Sequence, residues 1–330
     1  MIAENRYNTM TYKKCGNSGL MIPQLAFGIW NGFGECCSYE SGRELLLTAF
    51  NCGITHIDTA NNYGPPPGTA EEFVGKIIHN ELRGYRDELL IATKAGYEMW
   101  NGPYGDGGSR KYLISSLDQS LKRMKLDYVD IFYHHRRDVN TPMEETMGAL
   151  ADLVRQGKAL YVGISNYNAE DTQKASEILA GMGVKLLIHQ FRYNLLSREP
   201  EDGLFQVLNK EKIGSVAFCP LEQGLLTMKY AQGIPKDSRA NNKNSYYLHE
   251  TDIKPDLQRK VFALNEFAKE RGQTLPQMAL AWDIREGGVT SVILGASRKE
   301  QILENVELLQ NNNFTNDELK KIDEILAQEA

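Results

Sequence analysis

IDTANNYG at 57–64, ATKAG at 92–96 and DIFYHHR at 130–136 decide how this chain folds. Each follows or ends an apolar run of strand length. Each also delivers a reactive side chain where the run stops: the carboxylate of Asp58, the phenol of Tyr63, the ammonium of Lys94 and one of the imidazoles of His134 and His135. Working outward, similar runs occur at 24–29, 55–58, 89–93, 128–133, 159–163, 185–189, 214–218 and 290–294. Most are continuously apolar rather than alternating, the pattern of parallel strands covered by helices on the outside. There are eight of them, with helical patterns between.

The helix starts carry the spacing of capping boxes: Ser41 with Glu44, Thr69 with Glu72, Thr141 with Glu144, Ser297 with Glu300 and Thr315 with Glu318. Pro142 after Thr141 suits a first helical position, and Gly53, Gly157, Gly181 and Gly183 stand where helices end. Eight strand-then-helix units in about 300 residues predict an α/β chain folded as a (β/α)8 TIM barrel, with a doubly wound sheet as the competing arrangement. Residues 11–22, TYKKCGNSGLMI, predict a hairpin turning at Asn17–Gly19 that caps the barrel bottom, and 315–328 predict an additional helix at the C-terminus. The chain reads as one domain over 1–330. A long polar connection at about 230–256 follows the seventh strand, on the face where barrel active sites form.

Composition excludes several classes. With 42% hydrophobic and 24% charged residues the chain is an ordinary globular one, and a net charge of -6 disfavours nucleic acid as a partner. No apolar stretch has the length of a membrane span, and the polar start MIAENRYNTM lacks a signal-peptide core, so a cytoplasmic location and no membrane partner are expected. Five cysteines without a CxxC pair make neither a disulfide framework nor a zinc site. Six histidines without an HxH or HxxH pair predict no metal.

A dinucleotide fingerprint is nearly absent. Gly32 and Gly34 follow the first strand, but Cys37 stands in place of the third glycine, so the run reads as a glycine-rich loop over a barrel mouth. The other route to phosphate is Gly295-Ala296-Ser297-Arg298, which follows the eighth strand and opens a helix. Backbone N–H groups, a hydroxyl and a guanidinium there suit either a phosphate cradle or a plain helix cap.

IDTANNYG, ATKAG, the imidazole after YVDIF, GISN and GASRKEQILEN resemble the aldo-keto reductases across nearly the whole chain. NNYGPPPGTAEE, GPYGDGGSRKYL and NTPMEET sharpen the likeness toward the branch that includes bacterial L-glyceraldehyde 3-phosphate reductase and the β-subunits of potassium channels. The resemblance implies NADPH lying across the C-terminal face of the barrel and a catalytic tetrad of Asp58, Tyr63, Lys94 and His135. His135 is chosen because the family places this imidazole five positions after the strand aspartate, here Asp130; strand alternation then turns His134 into packing. The resemblance also implies that Ser165, Asn166 and Gln190 hold the carboxamide and that Phe218 stacks on the nicotinamide, with Trp30 and Asp58 beside it. Pro220, Leu221, Gln223, Lys229 and Arg239 follow the pyrophosphate, and Gly295, Ser297, Arg298, Gln301, Glu304 and Asn305 take the adenosine end. Cys219, next to Phe218, would make the site sensitive to oxidants.

The expected chemistry is NADPH-dependent reduction of small aldehydes and ketones, L-glyceraldehyde 3-phosphate and methylglyoxal among them. Lys94 favours the phenolate of Tyr63, Asp58 pairs the buried lysine, Tyr63 gives its proton to the carbonyl oxygen and His135 hydrogen-bonds that oxygen. The alternative is a cofactor-sensing, non-catalytic regulatory subunit like the channel β-subunits, which by the resemblance carry asparagine where this chain keeps His135. A lysine Schiff-base or metal-dependent barrel lyase is a further rival. Arg110, Arg136 and Arg137 offer a seat for a substrate phosphate, or are solvated surface charges; HHRRD here departs from the SHRVD of the resembling reductases. The same branch implies a homo-oligomer.

Overall fold

The fold follows from where the apolar runs can bury both faces. In a computed structural model, which describes residues 2–30, 32–33, 38–231, 233–236, 238–241 and 248–328, eight short parallel strands close into one barrel. They are β3 (Leu25–Gly28), β4 (His56–Asp58), β5 (Leu90–Ala95), β6 (Val129–His134), β7 (Ala159–Ser165), β8 (Leu186–Arg192), β9 (Gly214–Phe218) and β10 (Ser291–Leu294). Neighbours in the ring are neighbours in the chain, and β10 closes the circle by pairing Val292 with Leu25 of β3. The doubly wound alternative is thereby excluded. Every predicted strand is present.

Side-chain alternation splits the core into two layers. Ala26, Ala92, Ile131, Tyr133, Ile188 and Val216 fill the barrel interior, while Phe27, Ile57, Ile91, Phe132, Val162 and Ala217 face the helices outside. Those helices are α1 (Tyr39–Asn51), α2 (Thr69–Glu81), α3 (Arg110–Met124), α4 (Met143–Arg155), α5 (Ala169–Gly181), α6 (Leu204–Glu211), α7 (Pro255–Glu270), α8 (Leu275–Asp283) and α9 (Lys299–Val306), with α10 (Asn316–Ala327) at the end. The hairpin strands β1 (Tyr12–Lys14) and β2 (Met21–Pro23) pair antiparallel beneath the barrel. Their turn is tied to the strand entrances: Asn17 N donates to Lys212 O at 3.0 Å, and Lys185 Nζ donates to Asn17 O at 2.8 Å.

Two expectations are corrected. Of the five proposed capping boxes only Thr315 with Glu318 is one. Ser38 rather than Ser41 caps α1, Gly68 precedes α2 in a left-handed conformation, Pro142 is the cap position of α4, and Arg298 stands at the cap of α9. The hydroxyls of Thr69 and Thr141 are spent locally, on Pro66 O at 2.7 Å and Asp138 Oδ2 at 2.6 Å. An unexpected box, Thr274 with Gln277, opens α8 just after the left-handed Gly272. The connection after β9 therefore ends in two helices, α7 and α8, where one was expected. Within that connection residues 242–247, like Gly34, Cys36 and Cys37, lie outside the described residues. Among the described residues no helix is long and apolar enough to cross a membrane.

Candidate active site

The reactive side chains converge because each stands at the carboxyl end of its strand. Asp58 ends β4, Lys94 is the fifth residue of β5, and His135 directly follows β6. Alternation along β6 sorts the two imidazoles: Ile131 and Tyr133 point into the barrel, so His135 does too, while Phe132 and His134 point toward the helices. There His134 Nδ1 meets Tyr167 Oη at 2.6 Å. Asp130, on the same outward face, pairs with Arg86 at 2.9 Å.

Lys94 is wholly buried and its Nζ donates to Asp58 Oδ2 at 2.6 Å and to Thr59 O at 2.8 Å. The other carboxylate oxygen accepts from Gln190 Nε2 at 2.9 Å. Burial pushes the Lys94 ammonium down from its ordinary range, and the Asp58 carboxylate opposes that shift. The ammonium lies 5.0 Å from the centre of the Tyr63 ring, and Tyr63 Oη is 3.4 Å from His135 Nε2. Tyr63 reaches this position on a turn closed by its own N–H to Ala60 O at 3.2 Å. Aromatic edges frame the pair: Trp30 lies 6.3 Å from Tyr63, and Tyr97 lies 4.7 Å from His135. Asn166, in the left-handed conformation, donates from Nδ2 to His135 O at 3.0 Å and to Ser165 Oγ at 3.1 Å.

His135 is held well below the ordinary imidazole range, first by burial and then by the Lys94 charge. It is therefore neutral at neutral pH. Burial likewise lowers His56 to about 4, His134 to about 4 and His189 to about 3. The unfolded chain binds protons at these sites near pH ~6.5 while the fold does not, so stability is present above that pH and lost as pH falls toward 4. Each histidine contributes about 1.4 kcal/mol per pH unit in that window. Asp283 and Asp130, raised by burial, act in the opposite sense but are fewer. Urea midpoints should fall steeply between pH 7 and 5; equal midpoints would contradict four buried neutral imidazoles.

The other predicted positions stand at the ends of other strands or in the segments that follow them. Phe218 ends β9, and Pro220, Leu221 and Gln223 form the segment beyond it, with Lys229 exposed in the turn Met228–Tyr230. Cys219, Glu222 and Gln223 all take left-handed conformations there. The buried Glu222, which no sequence motif pointed to, holds that segment by accepting from Arg192, from Asn194 Nδ2 at 2.6 Å and from Ser197 Oγ at 3.1 Å. The side chain of Arg239 lies outside the described ones. Gly295, Ser297 and Arg298 follow β10 and are exposed, while Asn305 on α9 is buried. Gln301 Oε1 accepts from Ser297 N at 2.8 Å, Ser297 Oγ at 3.2 Å and Arg298 N at 3.3 Å. The Nε2 group of Gln277 binds the Glu304 carbonyl at 2.8 Å. The arginines suggested for a phosphate seat are each matched to an acid: Arg110 to Asp152 at 2.6 Å, Arg136 to Asp106 at 2.8 Å and Arg137 to Asp171 at 3.6 Å. Among the described residues no group of three or more His, Cys, Asp or Glu side chains could hold a metal ion.

A buried ion pair beside a phenol and a neutral imidazole, at the mouth of a parallel barrel, can donate a proton to an oxygen and steady the charge left behind. Residues 24–327 match the aldo/keto reductase family. The chain belongs to the aldo-keto reductase family. Among these reductases it is similar to L-glyceraldehyde 3-phosphate reductase of Escherichia coli (strain K12), at 54% identity over 330 residues, 98% of this chain and 94% of that protein. It is also similar to a probable voltage-gated potassium channel subunit beta of Oryza sativa subsp. japonica, at 36% identity over 305 residues, 91% of each chain. Membership makes the chain an oxidoreductase for carbonyl groups.

Proposed function

We propose that the protein reduces short aldehydes and ketones to alcohols with NADPH, using Tyr63 as the general acid. The observation that carries this reading is the Tyr63 hydroxyl standing 3.4 Å from His135 Nε2, with the buried Lys94–Asp58 pair against its ring. Tyr63 gives its proton to the carbonyl oxygen, and the Lys94 ammonium steadies the negative charge that remains on the phenol. Asp58 keeps the ammonium charged and fixed against its desolvation. The neutral His135 hydrogen-bonds the same oxygen and orients the carbonyl.

The donor set fits NADPH. Three donors, Ser297 N, Ser297 Oγ and Arg298 N, converge on the single oxygen of Gln301 at the N-terminus of α9, an arrangement suited to an anionic oxygen. Arg298, Ser297, Gln301, Glu304 and Asn305 with Gly295 would hold the adenosine 2′-phosphate end. Lys229, Gln223, Pro220, Leu221 and Arg239 would follow the pyrophosphate, and Ser165, Asn166, Gln190, Phe218 and Trp30 the nicotinamide. When bound, the nicotinamide supplies the hydride.

Oxidation of NADPH against glyceraldehyde, glyceraldehyde 3-phosphate, methylglyoxal and acetaldehyde tests the proposal, and absence of turnover with all of them would overturn it. Arg298 is exposed, and on this reading its guanidinium meets the 2′-phosphate, so Arg298→Ala should raise the Kd for NADPH about tenfold while leaving that for NADH nearly unchanged. Equal weakening of both would remove Arg298 from the phosphate site. Binding of NADPH without turnover would favour the regulatory-subunit reading. We further propose a cytoplasmic homo-oligomer with no nucleic-acid or membrane partner.

A further inference from the structure

Two pairs of adjacent residues, His134–His135 at the end of β6 and Asn166–Tyr167 just after β7, hold one another in a way the proton chemistry does not use. The His134 side chain is wholly buried on the helix side, with Nδ1 2.6 Å from Tyr167 Oη. On its other side a Cβ at Gly108 would come within 3.0 Å of His134 Nε2, so glycine there leaves the ring just enough room. Tyr167 is buried too, and its N–H donates to Nε2 of the buried His189 at 3.3 Å. The rings of Tyr167 and His189 stand edge-on, with centres 6.4 Å apart. Tyr167 is thus fixed at both ends, its hydroxyl on β6 and its N–H on β8.

Asn166 completes the grip. Its N–H donates to Gln190 O at 3.1 Å, and its Nδ2 donates to the His135 carbonyl at 3.0 Å. A left-handed backbone such as that of Asn166 is uncommon outside glycine and persists where its neighbours over-determine it. The His135 ring, by contrast, has little of its own to aim it. Its Nδ1 is buried with no hydrogen-bond partner, and its Nε2 meets only the Tyr63 hydroxyl, at 3.4 Å. An imidazole is ordinarily oriented by the bond its second nitrogen makes. Here the backbone must do it, and that backbone is held by Ala95 O on one side and by residues 166 and 167 on the other. We infer that Tyr167 is a positioning residue for His135: by locking the His134 ring it fixes the end of β6 and so aims the next imidazole at the Tyr63 hydroxyl. The inference rests on the carbonyl-reductase reading, in which His135 orients the substrate oxygen, and names what aims it.

The test compares the full-length protein with Tyr167→Phe and with the double variant His134→Leu/Tyr167→Phe. Tyr167→Phe keeps the ring and removes the hydroxyl that His134 Nδ1 meets. For methylglyoxal its kcat should fall about tenfold, with KM changed less than about twofold, because the aim of a group and not its chemistry is lost. Its Tm should fall by a few degrees, since a buried imidazole nitrogen loses its partner. The double variant removes both polar partners, so Tm should recover while kcat stays low. Nitrogen-15 spectra of the histidine rings, taken without cofactor, read the aim itself. The His135 ring should give one set of signals in the unmodified protein and broadened or doubled signals in Tyr167→Phe, with His56 on β4 unaffected. A kcat within about twofold of normal in Tyr167→Phe, a kcat that recovers together with Tm in the double variant, or unchanged His135 signals would each overturn the assignment. If the unmodified protein turns over no aldehyde, the reductase reading fails; the ring signals, which need no turnover, still decide whether Tyr167 aims His135.

Discussion

Tyr63→Phe should lower kcat for aldehyde reduction by roughly 10²–10⁴-fold, the usual contribution of a positioned general acid. The substitution is well isolated by the structure. The ring contacts with Trp30 at 6.3 Å and with His135 at 5.7 Å belong to the aromatic body, which phenylalanine keeps. The Lys94 ammonium, 5.0 Å from the ring centre, likewise retains its neighbour. Only the hydroxyl facing His135 Nε2 disappears. NADPH affinity and thermal stability should therefore remain near those of the unmodified protein, and the loss should appear in kcat rather than KM. Activity within a few-fold of normal would transfer the acid role to His135. A pH profile would reveal that outcome, since His135 is held neutral by burial and could act as an acid only at low pH.

The parts of this site that the sequence makes legible are those set by strand alternation. Once 128–133 is read as a strand buried on both faces, His134 and His135 must point apart, and the fold places them so. The barrel itself is legible for the same reason, since β-strands covered on both sides leave long apolar runs. Helix starts are less so. A Ser or Thr three residues before an acid is a local pattern, and in Thr69 and Thr141 a nearer acceptor takes the hydroxyl first. Long-range pairings leave no local trace at all. Gln190 reaches Asp58 across 132 residues of chain, and Arg192 reaches Glu222 in a segment where three non-glycine residues, Cys219, Glu222 and Gln223, adopt left-handed backbones. The three arginines illustrate the same limit: their charges are visible in the sequence, but the acids that neutralise them come from other loops and helices.

The Lys94–Asp58 pair should be the most sensitive point of the whole molecule, for stability as well as for chemistry. Lys94→Met removes one charge from a buried pair and leaves the Asp58 carboxylate with the Gln190 amide as its remaining side-chain partner. Breaking a buried pair on one side costs about 3–5 kcal/mol, because the charge left behind has neither water nor a counter-ion. Removing both charges is a different matter. In Asp58→Asn/Lys94→Met the interior holds an amide beside Gln190 and a side chain of similar length to lysine, so most of the lost stability should return. Catalysis should not return with it, since neither residue can then stabilise the charge that develops on Tyr63. Urea unfolding and NADPH oxidation on the two single variants and the double variant separate these effects. A single Lys94→Met variant as stable as the unmodified protein would show that Asp58 is not left as a buried, unpaired charge. Turnover surviving in the double variant would show that the pair serves the fold alone, and stabilisation of the phenolate would then fall to another group at the barrel mouth.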